Sequence, residues 1–189
     1  MKHLSIAKAE AFIAQALHAN QVPLADAQVV AQLMVQSDLV GADGHGIFRL
    51  PAYIKRIRAG GINLAPNIHI EREQGATALI NGDNALGHLV MNKAVDIAIE
   101  KVKQHSVCWV GSHYGNHSGA ASVYVRKLAE QGYIGIYMAV GNANHMAPWG
   151  GIDLLLSTNP IAIAVPSGDK PIVLLDIATT VVAYGTVKL

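Results

Sequence analysis

The stretch Val107-Cys108-Trp109-Val110-Gly111-Ser112-His113-Tyr114-Gly115-Asn116-His117-Ser118-Gly119 decides how this chain folds. Its first four residues are a short apolar run, expected to form a buried strand. The nine that follow are glycine-rich and carry two histidines, and helical periodicity then runs from Gly119 to Gln131. A strand handing over to a helix through such a loop is the repeating unit of layered α/β domains, and ligands gather in loops at the carboxyl ends of the strands. The flanking segments continue the alternation. Upstream, Ile68-His69-Ile70-Glu71 alternates, Ala78-Leu79-Ile80 runs into the turn cluster Asn81-Gly82-Asp83-Asn84, and Met91 to Gln104 has a helical stripe through Ala94, Val95, Ala98, Ile99 and Val102. Downstream, Ile134 to Val140, Ile161 to Val165 and Ile172 to Leu175 read as strands.

The N-terminal part has a different period. Ile6, Ala7, Ala9, Phe12, Ile13, Ala16 and Leu17 recur at helical spacing, Asn20 and Pro23 mark a stop, and Leu24 to Leu39 repeats the pattern. The glycines of Gly41-Ala42-Asp43-Gly44-His45-Gly46 break that second helix and permit close approach by a ligand. A short helix is expected from Leu50-Pro51 to Ala59, ended by Gly60-Gly61. Its Lys55, Arg56 and Arg58 read as a solvated face, whereas Arg49 stands four residues after His45, beside the glycine loop. The change of period puts a boundary near residue 75, between a helical segment, 1–75, and an α/β segment, 76–189.

Composition narrows the class. Of the 189 residues, 51% are hydrophobic and only 14% charged, against about 25% charged in an average domain. That excludes a disordered chain and points to surface covered by a second subunit or by a further segment. A net charge of +1 gives no field for nucleic acid or for an anionic membrane. A single cysteine, Cys108, excludes a disulfide framework and fits a reducing compartment. There is no signal-peptide core and no apolar run long enough for a membrane helix, so the expectation is a cytoplasmic globular protein. The end, Ala183 to Leu189, caps no element; a longer protein is preferred there over a C-terminal strand.

Of nine histidines, His45, His113, His117 and His145 fall in glycine-rich or turn-like contexts. His117 stands where a strand meets a helix N-terminus, a place suited to a developing oxyanion, and an imidazole with a pKa of about 6.5 can give and take protons there. A zinc hydrolase using His113, His117 and His145 is an alternative, weakened because Gly115 lies between the first two. No Gly-x-Gly-x-x-Gly or phosphate-loop lysine occurs. Gly141-Asn142-Ala143-Asn144-His145, Ser157-Thr158-Asn159-Pro160 and Asp176-Ile177-Ala178-Thr179-Thr180 are further loops whose side chains could order a turn or meet a ligand. For Asp176, a sugar hydroxyl and a helix cap are equally open.

Taken together, these motifs resemble the type-2 malate/L-lactate dehydrogenases, whose relatives act on ureidoglycolate, sulfolactate, diketogulonate and cyclic imines. The likeness rests on Asp43-Gly44-His45-Gly46-x-x-Arg49-x-Pro51-x-Tyr53 and Gly61-Ile62-Asn63, then His117-Ser118-Gly119-Ala120, Ala147-Pro148-Trp149-Gly150-Gly151, Thr158-Asn159-Pro160 and Asp176-Ile177-Ala178-Thr179-Thr180, in the family's order. The resemblance implies an α/β (α+β) fold, with a helical substrate and dimer layer followed by a mixed, largely antiparallel sheet flanked by helices. It implies a non-Rossmann domain for NAD or NADP, a small 2-keto or 2-hydroxy acid as substrate, and a cytoplasmic homodimer. His117 matches the catalytic histidine; His45, Arg49 and Tyr53 match substrate neighbours; Thr158, Asn159, Pro160, Asp176, Ile177 and Ala178 match cofactor-lining stretches.

Two positions depart from the pattern. Gly44 stands where the family has serine, removing a hydroxyl worth about 1 kcal/mol per neutral hydrogen bond. Ser157 stands where glycine is usual. Family members run to about twice this length, as two ordinary domains would, so the chain reads as an N-terminal half. A non-catalytic remnant or interaction module of the same fold is the alternative from another class.

Overall fold

Two helices pack first because their apolar stripes demand it. In the computed structural model, which describes residues 4–141 and 144–180, α1 spans Ile6–His18 and is capped by the Ser5 hydroxyl, while α2 spans Leu24–Leu39. Ile13, Leu17, Ala27, Val30, Ala31 and Met34 are fully buried or nearly so between them. Two 3-10 turns, Asp43–His45 and Ile47–Arg49, lead into α3, Leu50–Arg58, whose Leu50, Tyr53 and Ile57 face the same core. The glycine loop is tied back to α2, because the Ile47 N–H donates to an Asp38 carboxylate oxygen at 3.0 Å. A Cβ on Gly46 would fall 1.7 Å from the other Asp38 oxygen, so a side chain here would displace the carboxylate that holds the loop.

Strand β1, His69–Gln74, pairs antiparallel with β2, Thr77–Ala85, and β2 pairs in parallel with β3, Trp109–Gly115. A parallel pair needs a crossover, and α4, Gly87–His105, provides it. The register sets Ala85 beside Gly115. The residues just past both strand ends therefore meet: Leu86, Gly87 and His88 on one side, Asn116 and His117 on the other.

A second sheet orders β4, Gly135–Met138, β5, Ile161–Val165, and β6, Val173–Ile177, all antiparallel, with α5, Ser122–Glu130, packed on the face that carries Ala162 and Ala164. Its other face leaves Ile136, Met138, Val173, Leu175 and Ile177 exposed, in keeping with the low fraction of charge.

The fold is mixed α/β, as expected, and among the described residues its strands form two three-stranded sheets. Three of the four ladders are antiparallel. The chain divides by compactness into residues 1–120 and 121–189. The change of period near residue 75 falls inside the first unit, where helices give way to strands.

Three local expectations shift. The strand placed at Val107–Val110 begins at Trp109 and runs on to Gly115, and Val107 and Trp109 are 71% and 64% exposed. Among the described residues β3 pairs with β2 on one side, so ladder hydrogen bonds extend it through a glycine-rich stretch without burying its start. The turn expected at residues 81–84 lies within β2, where Asp83 and Asn84 take left-handed backbone angles and the register with β3 slips. Helix α4 starts a turn before Met91, at Gly87. The readings for residues 183–189 and for Asn142 and Ala143 lie outside the described residues.

Candidate active site

The candidate site gathers at the carboxyl end of the parallel β2–β3 pair. The Tyr53 hydroxyl, from α3, hydrogen-bonds His117 Nδ1 at 2.7 Å, and the Gly119 N–H points at the same nitrogen from 3.3 Å. The His45 ring stacks on His117, with centroids 5.6 Å apart and planes 14° off parallel. Two donors on Nδ1 leave Nε2 as the ring nitrogen turned to a ligand, and they fix which end of the imidazole exchanges protons. Arg49 is held by its Nε, which donates to the Gly44 carbonyl at 2.8 Å. Among the described residues this is the hydrogen bond that fixes the guanidinium, a group whose planar fork suits a carboxylate. Gly44 thus contributes through its backbone carbonyl.

Electrostatics hold these groups in defined states. His117 is driven well below the ordinary histidine range by the protein around it, then by the charges of Arg49, His45 and His88. One side of the residue is open to water, which screens part of the effect, but every cause acts in the same direction and the imidazole is neutral at pH 7. Burial drives the Tyr53 hydroxyl far above its usual value despite the opposing charge of Arg49, so it stays protonated. Asp38 is raised by burial, partly offset by the Ile47 N–H.

His88, next to this cluster, is fully buried. Burial lowers its pKa to about 3, with His45 adding to the effect. The unfolded chain has an ordinary histidine there, so between pH 6.5 and 3 the unfolded state binds the extra proton. Stability is complete above pH 6.5 and falls on acidification. Each pH unit costs about 1.4 kcal/mol, so urea unfolding should show about 2 kcal/mol lost between pH 6.5 and 5 that His88→Phe no longer loses. Identical pH profiles for the two proteins would contradict this account.

The sequence-predicted residues fall into two groups. His45, Arg49, Tyr53 and His117 come together in the first unit. In the second unit, pairing of Ile161 with Ile177 brings Thr158, Asn159 and Pro160 beside Ile177 and Ala178, at one end of the β5–β6 ladder. The Thr158 carbonyl accepts both the N–H and the hydroxyl of Thr179 at 2.9 Å. Asn159, with φ at +39°, accepts the Gly141 N–H on its side-chain oxygen. Asp176 settles its open alternatives in part: one carboxylate oxygen accepts the Ser122 N–H at 2.8 Å, near the start of α5. Ser157 is buried with its hydroxyl against Gly141, where a Cβ would come within 2.2 Å. This ladder end offers amide, hydroxyl and carboxylate groups of the kinds that a dinucleotide's ribose and carboxamide require, so its chemistry fits a nicotinamide cofactor.

His113 is elsewhere. It points from β3 to Glu71 at 2.6 Å, and that contact lowers the glutamate's pKa. Among the described residues no group of three or more His, Cys, Asp or Glu could hold a metal ion, so the zinc alternative has no site there. Sequence reading passed over two residues that matter, Asp38 and His88. Asp38 gives no local signal, since its partner is nine residues away. His88 had one, in the glycine beside it just past a strand.

A mixed α/β unit with an imidazole, a tyrosine and an arginine at the carboxyl ends of parallel strands is an architecture of ligand-binding enzymes. The chain belongs to the family described as Malate/L-lactate dehydrogenase, which it matches over residues 4–189. It is 43% identical over 177 residues to a malate dehydrogenase of Pyrococcus horikoshii, covering 94% of this chain and 49% of that protein. It is 42% identical over 166 residues to the L-sulfolactate dehydrogenase of Methanocaldococcus jannaschii, covering 88% and 48%. The solved malate dehydrogenase of Pyrococcus horikoshii superposes with a TM-score of 0.94 at 40% identity, over 99% of this chain and 53% of that one. The chain spans about half the length of the curated relatives it matches.

Proposed function

We propose that this chain carries the substrate-gripping and proton-transferring half of a cytoplasmic, homodimeric oxidoreductase that interconverts a small 2-keto acid and the corresponding 2-hydroxy acid with NAD or NADP. The observation that carries the reading is the cluster in which Tyr53 and Gly119 hold Nδ1 of His117 while Arg49 bears on the same ring. In this reading residues 1–75 serve substrate and dimer contacts, and residues 76–189 begin the cofactor domain, with Thr158, Asn159, Pro160, Asp176, Ile177 and Ala178 lining the cofactor. When bound, the nicotinamide would supply or accept the hydride at C2. Arg49 pairs with the substrate carboxylate. That negative charge favours the protonated ring against the burial and the neighbouring charges that keep His117 neutral, so the ring takes up a proton on Nδ1 and passes the one on Nε2 to the oxygen on C2. In the reverse direction the ring must first carry its single proton on Nδ1, with the Tyr53 oxygen as acceptor, so that Nε2 is free to take the alcohol proton. Names among the relatives, including malate, L-sulfolactate and ureidoglycolate dehydrogenases, support a 2-hydroxy acid bearing a second polar group.

The test is titration of the chain with NADH and NADPH by fluorescence, followed by absorbance assays with 2-keto acids on the protein from the complete reading frame. Absence of both binding and turnover would overturn the reading and favour an interaction module. Arg49→Lys keeps the charge but loses the planar fork, and should raise KM for the keto acid by about 10- to 100-fold, with a smaller change in kcat. An unchanged KM would remove Arg49 from the carboxylate.

A further inference from the structure

We propose that His88 is a positioning residue, a flat buried ring that backs both groups holding Nδ1 of His117 and thereby sets the orientation and tautomer of that imidazole. It rests on the reading of His117 given above, and the observations for it are geometric. His88 is 0% exposed, and among the described residues neither of its ring nitrogens has a hydrogen-bond partner. A buried polar group left unpaired costs about 1–3 kcal/mol, which a leucine in its place would avoid. What the ring does instead is touch the two holders. Its edge meets the Tyr53 ring, with centroids 5.5 Å apart and planes at 86°. Its Nε2 lies against Gly119, where a Cβ would come within 2.7 Å and where φ is +80°. Tyr53 and Gly119 are the two groups on His117 Nδ1.

The backbone places the wedge. Gly87, at the start of α4, packs so closely that a Cβ there would fall 2.0 Å from the Asn116 carbonyl oxygen. The Gly87-His88 pair is thereby seated under residues 116–119, as the parallel register of β2 and β3 dictates. A flat ring is needed because it presents an edge to Tyr53 and a slim profile to Gly119; its nitrogens make no bond that a ring carbon would forfeit.

The test reads His117 directly. In the chain labelled with 15N-histidine, NMR gives the tautomer and titration midpoint of His117, compared among wild type, His88→Ala, His88→Leu and His88→Phe. Expected are a single Nε2-protonated tautomer in wild type and in His88→Phe, and a mixed tautomer with a midpoint at least one pH unit higher in His88→Ala and His88→Leu. In the protein from the complete reading frame, the same two losing variants should lower kcat on the order of 10- to 100-fold, with KM little changed. If His88→Ala fails to fold, His88→Leu, close to histidine in volume, carries the comparison. An unchanged His117 tautomer and midpoint in the losing variants, or a folded His88→Phe that behaves like them, would overturn the inference. NMR shifts without activity in any form would instead tell against the dehydrogenase reading and leave this one standing.

Discussion

His117→Asn should lower kcat for 2-keto acid reduction by about 10³-fold while leaving NADH or NADPH affinity within a factor of two. The magnitude follows from the 10²–10⁴-fold that a positioned acid or base contributes. Asparagine keeps a polar group near Tyr53 and Gly119 but cannot gain or lose a proton at neutral pH, so binding and proton transfer separate. The measurement is steady-state absorbance at saturating cofactor, beside a fluorescence titration of cofactor alone. A variant that keeps more than a tenth of wild-type kcat would show that another group supplies the proton. A variant that loses cofactor binding as well would place His117 in a structural role.

Gly87→Ala should destabilise the chain by about 2 kcal/mol, although alanine is the better helix former. Helix propensity favours the substitution by at most about 1 kcal/mol. Against it stands an overlap with backbone: the new methyl would lie 2.0 Å from the Asn116 carbonyl oxygen and 2.8 Å from the carbonyl carbons of Asn116 and His117. A flexible side chain could swing aside, but this backbone is fixed by the Asn116 N–H on the Ala85 carbonyl and by the Asn116 side chain on Asn84 and Ala85. Overpacking of this kind costs about 1–3 kcal/mol, and rigid neighbours put it at the upper end. The midpoint of thermal unfolding should fall by roughly 6 °C, and the surviving folded protein should show a displaced His117. A Gly87→Ala chain as stable as wild type would mean that the 116–119 segment yields freely, and His117 would then lack the fixed seat that its role requires.

The two substitutions act on one feature from opposite ends. One removes the imidazole; the other moves the backbone that presents it. The acid sensitivity expected from His88 completes the picture, because it measures what the fold loses when the ring beneath that backbone must carry charge.

What was legible in the sequence follows from periodicity and local chemistry. The stripes of α1, α2 and α3, the strands β5 and β6, and the glycine loops around His45 and His117 are all set by residues close together in the chain, as are the family motifs that mark Arg49 and Tyr53. Local pattern could not say where β3 begins, because that depends on its pairing with β2. Nor could it show that His113 belongs to Glu71, forty-two residues back, or that Asp176 is held at α5. Those are partnerships between distant segments. By itself the sequence determined a layered α/β chain with His117 at a strand-to-helix junction, since apolar spacing and glycine placement act over a few residues. Only the tertiary structure decided that Tyr53 and Gly119 meet on that ring with the buried His88 behind them, because a parallel register joins strand ends thirty residues apart.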